Sequence, residues 1–335
     1  MRPLRQLGPY RIVRRLGAGG MAEVHLARRY GASGWEKAVA LKLLREEHRG
    51  RADLERLLLA EARLGARFAH PGLVGVHDLG LAGGDYYVCM DYIDGGDLRA
   101  LCARRPLPRP LALYVGEQLA ATLAYVHALA GDDGRPLGLV HRDVSPGNVL
   151  LSRAGAVKLS DFGIAKATAA EDRTFGRLRK GKYAYMAPEQ LAGEPLSGAA
   201  DIFALGVTLH ELLLGRRPFD RPSDGPLQTM AATRAAELGP DHDFGDLGDA
   251  LAELLRCALA RDPQEHGAGA RALARALQTV RRQHAPAGVL ELGEWVRDAA
   301  GEPAPEEDPA ATGGARLTTE TLGMDEISVD LEDID

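Results

Sequence analysis

The chain has 335 residues, 45% hydrophobic and 26% charged, with a formal net charge of −6, which is the ordinary soluble range and enough length for a two-lobed unit plus a tail. No run of about 18 apolar residues and no apolar stretch behind the N-terminal basic residues is present, so neither a membrane span nor a secretory signal is expected. Cys89, Cys102 and Cys257 stand far apart without metal-ligand spacing, which excludes a disulfide framework or a zinc site and points to reduced thiols in a cytoplasmic protein.

Along the chain, residues 10–30 read as two strands around the turn Gly17-Ala18-Gly19-Gly20, with Tyr10, Ile12 and Val13 before it and Val24 and Leu26 after it. Val39 to Leu44 is a third apolar strand. Residues 52–68 have helical composition, with Leu54, Leu57, Leu58 and Leu64 spaced for one face. Two strands follow, around Val74–Leu79 and Tyr86–Tyr92, and Asp94-Gly95-Gly96-Asp97 breaks the pattern like a hinge. Beyond it the character is helical: 111–130, an apolar and buried 199–214, the amphipathic 247–260 and 269–283, and a short 289–300. From Gly301 on, eleven Asp/Glu stand against the single Arg316. That tail carries −10, the remainder +4, and disorder is expected for it. The arginines are scattered without interleaved aromatics, so no nucleic-acid partner is expected.

Five motifs carry chemistry. Gly17-Ala18-Gly19-Gly20-Met21-Ala22-Glu23-Val24 lies between two strands, not between a strand and a helix, which argues against a dinucleotide or Walker turn. Glycines there let backbone N–H groups approach phosphates closely. Val39-Ala40-Leu41-Lys42 ends an apolar strand on a lysine, for which Glu61 on the next helix is the candidate partner; Glu46, Glu47 and Glu55 read as surface charges. His141-Arg142-Asp143-Val144-Ser145-Pro146-Gly147-Asn148 supplies a base in Asp143 and a metal ligand in Asn148. Asp161-Phe162-Gly163 adds a second metal ligand in Asp161. Ala187-Pro188-Glu189 closes the segment after it, and Asp201 and Gly206 mark the central helix of the second half.

These motifs, in this order, resemble the bacterial eukaryotic-like, or Hanks-type, serine/threonine protein kinases, from about Tyr10 to about Arg282. The resemblance implies an α+β, two-lobed kinase fold: a β-rich N-lobe with one regulatory helix and an α-helical C-lobe. It divides the chain into an N-terminal extension at 1–9 and a kinase domain at 10–283 (N-lobe 10–92, hinge 93–96, C-lobe 97–283). A short helical extension at 284–300 and the acidic tail at 301–335 follow. It implies ATP and Mg2+ as cofactors, with Mn2+ as an alternative metal. Catalysis falls to Lys42, Glu61, Asp143 and Asn148, with the metal on Asn148 and Asp161. The nucleotide falls to Leu16, Gly17, Gly19, Gly20, Val24, Ala40, Lys42, Met90 as gatekeeper, the backbone of Asp91 and Ile93, and Asp97. The implied partners are proteins with Ser/Thr acceptors. Autophosphorylation is expected at Thr174 first and Thr168 second, with Thr318, Thr319 and Thr321 as further candidates in the tail.

The chain departs from the family in several places. Ser145 replaces the lysine two residues after the catalytic Asp, and Lys182 replaces a threonine that neighbours that position. Lys182 is therefore expected to supply the missing cation. His266 stands where an arginine pairs with Glu189. Gly65 replaces a bulky residue on the helix of Glu61, which is expected to hold that helix less firmly. The alternatives are a pseudokinase scaffold, against which the complete set of polar residues argues, and a small-molecule phosphotransferase, which lacks the Ala-Pro-Glu segment. A tyrosine kinase would carry an arginine within Ser145–Gly147, and none is there.

Overall fold

The structure is a computed structural model that describes residues 6–131, 133–163, 183–220, 223–238, 242–267 and 269–302. Lys182, Thr168, Thr174, Thr318, Thr319 and Thr321 lie outside the described residues. The chain divides into two compact units, one running to Ala69 and taking in Val74–Tyr92, the other holding His70–Leu73 and the described chain from Ile93 onward.

The first unit is a six-stranded antiparallel sheet with one helix. Its strands are β1 (Gln6–Leu7), β2 (Tyr10–Ala18), β3 (Ala22–Tyr30), β4 (Glu36–Leu44), β5 (Val76–Ala82) and β6 (Asp85–Asp91), ordered β1-β2-β3-β4-β6-β5. The helix α1 spans Ala52–Ala66. Residues 6–7, expected to precede the fold, join the sheet because Leu7 is fully buried beside Tyr10, Leu41 and Tyr87. The period of two sorts β4 cleanly. Val39, Leu41 and Leu43 fill the core on one face, while Leu44 packs on the other with Leu58 and Ala62 of α1. Burying a leucine such as Leu58 contributes about 1.5–3 kcal/mol. Lys42 shares that second face, so strand alternation aims it at α1.

The second unit is helical, with a small sheet β7-β8-β9 made of Gly95–Asp97, Val149–Ser152 and Val157–Leu159. The Gly-Gly stretch of the expected 93–96 hinge pairs as strand β7, just after the boundary between the two units at Tyr92 and Ile93. A Cβ at Gly95 would lie 1.9 Å from the Leu151 carbonyl oxygen, so only glycine permits this pairing. The helices are α2 (Leu98–Arg104), α3 (Arg109–His127), α4 (Pro188–Ala192), α5 (Gly198–Leu214), α6 (Pro226–Ala235), α7 (Asp249–Ala258), α8 (Ala270–Arg281) and α9 (Val289–Ala300). α5 is buried from Ala200 to His210 and forms the axis of the unit. α3 packs on it, and Gly116 lets Leu209 approach to a distance that a Cβ would forbid. α8 is tied to α3 by Arg281, whose Nε donates to Glu117 Oε2 at 2.6 Å.

Candidate active site

In the first unit, the Gly-rich turn joins β2 to β3. None of Gly17, Gly19 and Gly20 needs a left-handed backbone, and no atom lies within 4 Å of an added Cβ at Gly17 or Gly20. Their value is therefore open backbone, not turn geometry. The Gly19 N–H donates to Ala22 O at 2.7 Å, and His48 Nε2 lies 3.2 Å from Gly20 O. Leu16 at its edge is exposed, Val24 is half-buried and Ala40 is buried. β3 and β4 pair Val24 with Lys42, and β4 and β6 pair Ala40 with Met90.

Lys42, only 9% exposed, donates from Nζ to both oxygens of Glu61, at 2.7 and 2.8 Å. Glu61 sits three residues after Leu58 on the sheet-facing side of α1, so the packing that buries Leu58 and Ala62 also delivers the carboxylate. Gly65, one turn on, is where α1 comes nearest to β5: a Cβ there would fall 2.6 Å from Val76 Cγ2. Gly65 therefore permits a close approach of α1 to β5. The Asp91 carboxylate accepts from Gly75 N–H at 3.1 Å and pairs with His77 Nε2 at 2.7 Å, which fixes the end of β6.

In the second unit, Asp143, Asn148 and Asp161 belong to one hydrogen-bonded assembly. Asn148 Nδ2 donates to Asp143 O at 2.8 Å. Ser160 joins the two loops: its N–H and Oγ both donate to Asn148 O, at 2.9 and 3.1 Å, and Oγ lies 3.1 Å from Asp161 Oδ2. Gly163 N–H donates to His141 O at 2.8 Å, and the rings of His141 and Phe162 meet tilted, with centroids 4.6 Å apart. Arg142 and Asp161 hold positive φ, 66° and 57°. Such backbones persist only where the surroundings over-determine them, and here they do. Asp201, 1% exposed, accepts from the N–H groups of His141 and Arg142 at 2.8 Å each and pairs with His127 Nε2 at 2.8 Å. Gln190 Nε2 donates to Arg142 O at 3.1 Å.

With its Nδ2 committed to Asp143 O, Asn148 keeps its amide oxygen for a cation, and Asp161 offers a carboxylate. A pair of oxygen donors completed by water and phosphate is what Mg2+ takes, rather than an all-protein cage. Among the described residues no cluster of three His, Cys, Asp or Glu side chains could hold a metal.

Other expected residues have structural duties. Asp97 caps α2, its Oδ1 accepting from Ala100 N–H at 2.9 Å. Ser145 is buried and its carbonyl accepts from Asn148 N–H at 2.9 Å, so this position carries no charge. His266 is buried, but its nitrogens face Ala260 O at 2.7 Å and Ala199 O at 3.1 Å, not Glu189. The Glu189 carboxylate, buried, has no hydrogen-bond partner among the described residues. Burial pushes its pKa up, against smaller downward pulls from its own main-chain N–H and then from His266.

A comparison of the whole chain with known families finds the protein kinase domain over residues 10–274. The chain belongs to the protein kinase family. Members of this family use ATP and a divalent metal. The kinase is 40% identical over 306 residues to the tyrosine-protein kinase MasK of Myxococcus xanthus, covering 89% of this chain and 47% of MasK. It is 36% identical over 217 residues to the serine/threonine-protein kinase PrkC of Bacillus subtilis, covering 64% and 32%. The chain thus spans less than half the length of either relative. Among solved structures it resembles the kinase domain of Mycobacterium tuberculosis PknI in a double-mutant form. The TM-score is 0.60 at 31% identity, with 84% of this chain and 99% of that one covered. The kinase fold read from the motifs, a β-rich first lobe and a helical second one, is therefore present, and the family is the Hanks-type bacterial one.

Sequence reasoning named Asp201 only as a marker of its helix and passed over His127 and Ser160. One signal was available: an acid in the first turn of an otherwise apolar helix is costly to bury without donors. His127 and Ser160 carry no such signal, because their partners lie 74 and 12 residues away.

Proposed function

We propose that this kinase transfers the γ-phosphoryl group of ATP to serine or threonine hydroxyls of proteins, in bacterial signal transduction in the cytoplasm. The observation that carries the reading is the joint hydrogen-bonded placement of Asp143, Asn148 and Asp161. Asp143 accepts the proton of the acceptor hydroxyl. Lys42, oriented by Glu61, meets the α- and β-phosphates. Asn148 and Asp161 hold Mg2+, or Mn2+ in its place. Held by Asn148 and Asp161, a divalent cation would supply positive charge against the phosphate oxygens. Leu16, Gly17, Gly19, Gly20, Val24, Ala40, Met90, Asp91, Ile93 and Asp97 receive the nucleotide. Lys182 stands in for the cation that Ser145 does not supply.

The test is a phosphosite map of the full chain and a generic protein acceptor after incubation with Mg2+ and ATP. Phosphoserine or phosphothreonine on the acceptor, with Thr174 modified ahead of Thr168, is expected. Asp161→Ala should lose nucleotide with metal, whereas Asp143→Ala should keep nucleotide and lose transfer. Lys182→Thr should lower turnover by about 10²-fold, and adding Ser145→Lys should restore it. No rescue would remove Lys182 from the mechanism. A tyrosine acceptor is a second reading, favoured by the name of MasK. Phosphotyrosine as the main product would establish it.

A further inference from the structure

α9 lies beyond the 10–274 stretch that the kinase family accounts for, yet it is built into the second unit. Its buried side, Leu292, Trp295, Val296 and Ala299, packs on α2, β7 and β8. Trp295 Nε1 donates to Pro106 O at 3.3 Å. Two glycines bring the backbones together. A Cβ at Gly293 would lie 3.0 Å from Arg153 O, and one at Gly155, whose φ is 83°, would lie 1.8 Å from Val289 O. No other residue type fits the second position, and a large one at the first would lift the helix away.

The C-terminal end of α9 is held by two cations. Arg104 Nη1 donates to Ala300 O at 3.1 Å and Arg153 Nη2 to Gly301 O at 2.6 Å. Carbonyls at a helix C-terminus lack partners and carry partial negative charge, so guanidinium groups suit them. Arg297 Nη1 donates back to Arg153 O at 2.6 Å. Arg153 also reaches the opposite way. Its main-chain N–H donates to Asp94 O at 2.7 Å, a bond that any residue here keeps. Its Nε, which makes no hydrogen bond among the described residues, lies at ion-pair distance, 3.4 Å, from Asp94 Oδ1, the contact that the side chain alone supplies. Asp94 follows Ile93, whose backbone is assigned to the adenine, and leads into β7 and Asp97.

We propose that α9 is a strap that fixes the 93–97 linker through Arg153 and so sets nucleotide affinity, with Arg153 as a positioning residue that does not touch the nucleotide. The inference rests on the ATP-dependent reading above. An ordered linker loses less freedom when nucleotide binds, so releasing the strap weakens affinity without altering the transfer step.

The experiment compares the full chain with Arg153→Gln and with Gly293→Leu. Dissociation constants for a fluorescent ATP analogue with Mg2+, KM for ATP and kcat are measured. Each variant is expected to weaken nucleotide binding and raise KM by about 3–10-fold, the range of a few immobilised groups, with kcat within twofold. The double variant should be no worse than Gly293→Leu alone, and Arg105→Ala, which breaks only an exposed pair with Asp298, should change nothing. Amide hydrogen exchange at 93–97 without nucleotide reads the strap by itself and should quicken in both variants. Unchanged exchange, or quicker exchange with unchanged nucleotide affinity, would overturn the proposal. If Gly293→Leu fails to fold, Arg153→Gln decides alone. A wild-type chain that binds no nucleotide would overturn the kinase reading instead, while the exchange measurement still judges the strap.

Discussion

The two units hold their working groups by opposite means. In the first, Lys42 on β4 is paired side chain to side chain with Glu61 on α1. In the second, Asp143, Asn148 and Asp161 are held through backbone: their loops are stitched by Ser160, Gly163 and Asn148 and moored to Asp201. A side-chain pair across two elements breaks when one element moves by an ångström or two. A mesh of main-chain bonds cannot open without unfolding locally. The contrast sets a fixed side, the main-chain-bonded loop of Asp143, against a movable side, the Lys42–Glu61 pair, which a shift of either element breaks.

The largest effect should come from the fixed side. Asp143→Asn removes the proposed proton acceptor but leaves the Asp143 O to Asn148 bond intact. Turnover should fall by about 10²–10⁴-fold with the thermal midpoint unchanged, read by single-turnover transfer and calorimetry. Next comes the movable side. Lys42→Met should cost about 10²–10³-fold, and Glu61→Gln less, because the amide still offers one oxygen. The double variant should be no slower than Lys42→Met, since the pair acts as one unit. Additive losses would show that Glu61 works apart from Lys42 and would break the comparison.

Stability should separate the units as well. Asp201→Ala orphans the buried His141 N–H, at about 1–3 kcal/mol, and takes an acceptor from the part-buried Arg142 N–H and His127 Nε2 at a smaller cost. Denaturant titration should show this loss, and activity should fall with it as the loop loses its mooring. Gly65→Leu should cost about 1–3 kcal/mol through overpacking against Val76. It should also slow transfer, by pushing α1 away from Lys42. A Gly65→Leu kinase with full activity would mean that α1 tolerates displacement and is not the sensitive part.

How far the sequence revealed this follows from the same contrast. The sheet and α1 were legible because alternation and helical spacing are local signals, and the Lys42–Glu61 pair because the family resemblance points to Glu61 as the partner of Lys42. The type of the long helices was legible from the same local signals. The β7 strand was not, because Gly95 and Gly96 read as a break, and only Leu151, 56 residues on in the chain, makes them a pairing surface. The approach of Val76 to Gly65 was not legible, because it is a tertiary fact that a missing side chain does not announce. The mooring of the Asp143 loop was invisible in detail. It runs through main-chain N–H groups, which every residue has, so no residue type announces it.

The smallest effect concerns Glu189, which belongs to the second unit but departs from its rule: a buried carboxylate without a hydrogen bond among the described residues. His266 gives its nitrogens to two carbonyl oxygens, Ala260 O and Ala199 O, and so offers Glu189 only its charge. Desolvation therefore dominates, and the carboxyl pKa is raised above the ordinary carboxylate value. The sign follows from proton linkage. The folded state binds this proton more tightly than the unfolded state, so the stability it contributes is full below the ordinary carboxylate pKa. That contribution is lost as pH rises through the raised one. Glu189→Gln cannot ionise. Its thermal midpoint, relative to that of the native chain, should therefore climb as pH is raised from about 4 towards 7, whatever constant offset the amide brings. His266→Gln should steepen the native trend by removing the one charge that favours the carboxylate. Parallel pH profiles for Glu189→Gln and the native chain would mean that Glu189 is already neutralised by a partner, and that the second unit holds this acid as firmly as it holds Asp201.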